Sequence, residues 1–106
     1  MDIQKIATAF IALGSNLGDR KAYLTWAVER LGQLPDTRVL AISRWMENPP
    51  VGGPPQEMFL NGVVQIETTL PPQVLLQHLR RIEIDLGRPS ERIRWGPRVI
   101  DLDLLT

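Results

Sequence analysis

Cysteine is absent from the 106 residues, and histidine occurs once, at His78. The first absence excludes disulfide frameworks, thiolate zinc sites, iron–sulfur clusters and thiol nucleophiles. The second leaves multi-histidine metal centres and Ser-His-Asp chemistry without their parts. An excess charge of either sign is missing too. Twelve Lys+Arg balance 12 Asp+Glu, which speaks against a general nucleic-acid or membrane-surface binder. No segment approaches the ~20 apolar residues that span a bilayer. The apolar run Ile6 to Leu13 is short, has Asp2 upstream and lacks a small-x-small cleavage site, so it reads as a buried strand and not a leader. The expected setting is the cytoplasm. What is present, 43% hydrophobic and 23% charged residues, describes one folded domain over residues 1–106. A chain of this length buries roughly 65% of its unfolded surface.

The neutral sum hides segregation. Ten of the 12 basic residues are arginines, and Arg88, Arg92, Arg94 and Arg98 crowd into eleven residues with one acid, Glu91. Periodicity organises the rest. Residues 6–13 form an apolar run ending at Gly14, an interior strand. From Asp19 to Leu31 the period switches, with Leu24, Ala27, Val28 and Leu31 on one helical face and Gly32 as the stop. Residues 38–46 alternate as a second strand, and residues 59–68 form a third. Pro71-Pro72 opens a second helix, whose stripe is Leu75, Leu79, Ile82 and Leu86. Residues 99–105 make the last strand. The order β-α-β-β-α-β predicts an α+β, ferredoxin-like core, an antiparallel-rich sheet with both helices on one face. Two long connections stand out, 47–58 with four prolines and two glycines and 87–98 with two of each plus the arginines. Both exceed the usual length of about 4–6 residues and suit functional loops.

Asp101-Leu102-Asp103 is the sharpest chemical feature. On a strand, residues i and i+2 share a face, so the two carboxylates sit together while Ile100, Leu102 and Leu104 point to the core. Two close carboxylates repel, and either solvent screens them or a hard cation such as Mg²⁺ does. The arginines just upstream offer guanidinium forks for phosphate oxygens. Acids for metal beside a basic loop describe a nucleoside-triphosphate site without a P-loop. The competing reading is internal Arg–Asp pairing that keeps a sheet edge soluble. Trp95, inside the basic loop, either stacks on a flat ring or anchors the loop. Phe59 and Asn61 share one face of the third strand, an aromatic beside a donor–acceptor amide that suits a planar heterocycle. Glu83 reads as part of the second helix's solvated face. His78, Trp26 and Trp45 read as packing residues, and Ser15 and Asn16 as turn or cap residues.

The segments ALGSNLGDR (12–20), NPPVGG (48–53), FLNGVVQIET (59–68) and GR-(x)5-RWGPR-x-IDLDLL (87–105) resemble the 6-hydroxymethyl-7,8-dihydropterin pyrophosphokinase family of folate biosynthesis. The resemblance runs in order across almost the whole chain. It implies pyrophosphoryl transfer from ATP, as co-substrate, to the pterin hydroxymethyl group, giving AMP. It implies Asp101 and Asp103 as ligands of two Mg²⁺ ions, and Arg88 and Arg98 as catalytic arginines on the triphosphate. Arg92, Arg94, Trp95 and Glu83 are implied near the nucleotide. Asn48, Pro49, Val51, Phe59, Asn61 and Trp95 are implied around the pterin. A fused or neighbouring folate-pathway enzyme is an implied partner; nucleic acid and membrane are not. The chain departs from the family at Met46 and Asn48, where Tyr-x-Thr is usual, and at Ser90, where an arginine is common. Members continue past the DxD strand with a histidine, an arginine and a second stacking aromatic. Loss of one such arginine costs roughly 2–4 kcal/mol of transition-state stabilisation, ~10²–10³ in rate. The alternative expectation is a catalytically incomplete fragment, or a ferredoxin-like ligand-binding or assembly module.

Overall fold

The computed structural model describes residues 5–50, 52–53, 55–87 and 99–105. The elements run β1 (Ala7–Ser15), α1 (Arg20–Gly32), β2 (Thr37–Ile42), β3 (Met46–Asn48), β4 (Phe59–Thr68), α2 (Pro72–Asp85) and β5 (Asp101–Leu104). The sheet order is β2-β4-β1-β5, with β3 also on β4, and every pairing is antiparallel. This is the expected ferredoxin-like α+β arrangement. Strands consecutive through a helix are split by a third strand, so β4 lies between β1 and the β2/β3 strip.

Alternation places the core. Ala9, Ile11 and Leu13 of β1, Val64 and Ile66 of β4 and Leu102 of β5 are buried against Leu24, Ala27 and Leu31 of α1 and Leu75, Leu79 and Ile82 of α2. Asp19 starts α1, its Oδ1 accepting the Ala22 N–H at 3.1 Å. That bond satisfies one of the donors a helix start leaves unpaired.

Two element boundaries and one packing assignment differ from the sequence expectation. The strand expected over 38–46 is two strands. The β2 register slips between Val39 and Ala41, and Ser43 leaves the regular ladder to accept the Val63 N–H on its Oγ at 2.8 Å. Trp45 then packs over Gly62 with no room there for a Cβ; this indole is half-buried against the core, as a packing residue should be. Gly32 does not stop α1: the helix includes it, the cap Gln33 stays right-handed, and the left-handed residue of the turn is Asp36, φ 52°. Trp26 is 47% exposed and packs edge-on against Tyr23, ring centres 5.4 Å apart, so it covers α1's outer surface and not the core. His78 is half-buried.

Candidate active site on the open face of the sheet

The register decides which side chains meet. Asp101 lies opposite Gly14 and Asp103 opposite Ala12 across β5–β1. On the other flank of β1, Gly14 lies opposite Asn61 and Ala12 opposite Val63. Asn61 in turn is paired with Met46, and Phe59 with Asn48. Directly opposed residues share a face, so the paired acids, Asn61, Phe59 and Asn48 all belong to the side away from the helices. All five line one cavity of about 400 Å³, a size that takes a small ligand. Pro49 is exposed just beyond β3 and is not among the lining residues. Val51, Arg88, Arg92, Arg94, Trp95 and Arg98 lie outside the described residues.

Gly14 sits between the acids and the amide. A Cβ there would stand 2.7 Å from Asn61 Oδ1 and 3.5 Å from Phe59 Cδ1. The missing side chain is therefore what lets Asn61 lean over β1. Asp101 is half-buried and Asp103 exposed, about 6.6 Å apart along the strand at ordinary rise. Among the described residues no third acid or histidine joins them. Two carboxylates are the donor set Mg²⁺ uses when its other ligands are phosphate oxygens and water, so the chemistry of the pair fits that ion.

Glu83 corrects a sequence expectation. It is 2% exposed and not on a solvated face. Positions 75, 79 and 83 repeat every four residues, so Glu83 continues the buried stripe. Its Oε2 accepts the Leu102 N–H at 2.8 Å. Its Oε1 accepts from Arg80 Nη1 at 2.9 Å, and the same nitrogen donates to the Leu102 carbonyl at 3.0 Å. The carboxylate thus grips the peptide between the two aspartates, from the α2 side.

A second polar cluster supports the Phe59 side of the cavity. Asn16, fully buried, donates from Nδ2 to Gln56 Oε1 at 2.8 Å and to the Glu57 carbonyl at 3.1 Å. Arg20 donates to the Met58 carbonyl at 2.9 Å and to Glu47 Oε1 at 2.6 Å. Together they tie the end of the proline-rich connection to the start of α1 and deliver Phe59 to the cavity. Reading Asn16 as a turn residue missed this, because its partners are 40 and 41 positions away. The Arg80–Glu83 spacing of three was a local signal for the other cluster.

A family model described as 7,8-dihydro-6-hydroxymethylpterin-pyrophosphokinase (HPPK) matches residues 10–106. The 2-amino-4-hydroxy-6-hydroxymethyldihydropteridine pyrophosphokinase of Methylorubrum extorquens is 50% identical over 97 residues, covering 92% of this chain and 61% of the relative. That of Bacillus subtilis is also 50% identical over 97 residues, covering 92% and 58%. The bifunctional protein FolKE of Lactococcus lactis is 39% identical over 98 residues, covering 92% and 28%. The chain therefore spans about three fifths of the length of the monofunctional relatives named here. A solved dinuclear metal-binding peptidase of the M20 family from Bacillus subtilis superposes with a TM-score of 0.53 at 14% identity, over 93% of this chain and 25% of the peptidase. That likeness concerns the fold alone.

Proposed function

The chain belongs to the 7,8-dihydro-6-hydroxymethylpterin-pyrophosphokinase family, and from that premise we propose that it carries the pterin and magnesium–nucleotide sites of a transferase. The reaction moves the pyrophosphoryl group of ATP onto the hydroxymethyl oxygen of 6-hydroxymethyl-7,8-dihydropterin. The new bond joins that oxygen to the β-phosphorus, the α–β bridge breaks and AMP leaves. The observation that carries the reading is the adjacency of two chemically different subsites on one open face, with only Ala12 and Gly14 of β1 between them.

On one side, Phe59 offers a stacking ring, and Asn61 an amide that donates and accepts along a heterocycle's edge. Asn48 borders the same cavity, and the family resemblance assigns Pro49 and Val51, which follow it in sequence, to the pterin as well. On the other side, Asp101 and Asp103 would hold two Mg²⁺ ions, which when bound would supply positive charge to the phosphate oxygens. Arg88 and Arg98 grip the triphosphate, Arg92 and Arg94 add charge from the same segment, and Trp95 covers the substrates. Transfers of this kind run mainly on positioning and electrostatics, so no side chain is assigned as a strong base. Glu83 serves the nucleotide side by holding β5. The protein acts in the cytoplasm and takes a fused or neighbouring folate-pathway enzyme as partner. No described helix is long and apolar enough to cross a membrane.

The test is AMP formation from ATP and the dihydropterin with Mg²⁺. The wild-type chain is expected to release AMP, and Asp101→Ala or Asp103→Ala to lower the rate by ~10²–10³. No AMP at any protein concentration overturns independent activity. Because the chain spans only about three fifths of its monofunctional relatives, a second reading is a ligand-binding fragment. It predicts pterin and nucleotide binding without turnover.

A further inference from the structure

The acids sit on β5, a four-residue strand at one end of the sheet path β2-β4-β1-β5. Leu102 lies opposite Leu13 of β1, yet its N–H and C=O are taken by Glu83 and Arg80 of α2. In an antiparallel ladder alternate residues turn both peptide groups away from their partner strand. Leu102 is such a residue, and α2 supplies the partners that a further strand would otherwise supply. The ion pair is asymmetric: the Glu83 side chain is 3% exposed and that of Arg80 42%. A carboxylate so deeply placed needs its cation and its N–H donor together.

We propose that Arg80 and Glu83 are positioning residues for the metal-binding acids. By holding both polar groups of Leu102, they fix the backbone from which Asp101 and Asp103 project to the opposite face. They thereby set the separation and direction of the two carboxylates. Neither side chain needs to touch metal, nucleotide or pterin for this role. The inference rests on the magnesium site proposed above.

The experiment titrates Mn²⁺, with a non-hydrolysable ATP analogue present, into the wild-type chain and the variants Arg80→Met, Arg80→Lys and Glu83→Gln, and follows amide exchange at Leu102 by NMR. Arg81→Met is the control, since Arg81 Nε pairs instead with Asp85, at 3.0 Å. Outer partners of metal ligands typically govern affinity 10–100-fold. Arg80→Met is expected to weaken Mn²⁺ by about tenfold and to speed Leu102 exchange by a similar factor. Arg80→Lys is expected to recover part of both, and Arg81→Met to change neither. Exchange is read residue by residue, so a variant that loosens the whole fold separates from one that releases β5 alone. Wild-type affinity and wild-type Leu102 protection in Arg80→Met overturn the proposal while leaving the metal site standing. A wild-type chain that takes up no Mn²⁺ under these conditions overturns the metal site itself, and the positioning role with it.

Discussion

The two faces of the sheet are built from the same strands and differ by one residue of register. Toward the helices β1 presents Ala9, Ile11 and Leu13, β4 presents Val64 and Ile66, and β5 presents Leu102, all buried and apolar. Toward the open side the alternate positions are Phe10, Ala12 and Gly14, then Asn61 and Val63, then Asp101 and Asp103. One face provides stability and the other carries the proposed site, so neighbouring residues in sequence serve opposite ends. The separation allows two carboxylates to be placed side by side without burying either in the core, where desolvation would oppose their charge. Arg80 and Glu83 are the point of contact between the faces, since they sit on the helix side and act on the backbone of the acidic strand.

The comparison can be broken most forcefully at β5. Leu102→Ala should cost about 2–5 kcal/mol, the range for a fully buried leucine. Its neighbour Asp103→Ala should stay within about 0.5 kcal/mol, as exposed positions do. Urea denaturation of both variants checks this, and equal losses would mean that the two faces are not energetically distinct. A smaller effect is expected at Gly62, on the Leu13 side of β4. Gly62→Ala drives a methyl into the Trp45 ring and should cost about 1–3 kcal/mol by overpacking. Near-ultraviolet circular dichroism should report the displaced indole. A change smaller than that at Gly62 is expected at Gly14. There the added methyl meets only the end of the Asn61 side chain closely, which can swing aside, so Gly14→Ala should alter stability by less than about 1 kcal/mol. Pterin binding, followed by fluorescence, should nevertheless weaken, because the displaced atom belongs to the proposed recognition amide. Unchanged pterin affinity would remove Asn61 from that role.

How much of this was legible beforehand varies with the range of the interaction. The strand over 59–68 appears with those limits as β4, because its alternation is unbroken. The strand expected over 38–46 is interrupted, because Trp45 and Ser43 respond to Gly62 and Val63, about twenty positions away. The acid pair and the Phe59–Asn61 pair were each readable from their two-residue spacing. Their adjacency was not, because it depends on β1 inserting between β4 and β5. Glu83 was misplaced on solvent although its spacing from Leu75 and Leu79 already put it in the buried stripe.

By itself, then, the order of residues determined the element pattern outside 38–46, the faces of the Phe59–Asn61 and Asp101–Asp103 pairs, the balanced charge and the family to which the chain belongs. These follow from local periodicity and from motifs contiguous in the chain. The tertiary structure alone decided that Gly14 makes room for Asn61, that Asn16 and Arg20 hold the loop leading to Phe59, and that α2 grips the acidic strand through Leu102. Each of these joins groups 19 to 47 positions apart, and such a contact exists only once the strands are paired and the helices packed on them.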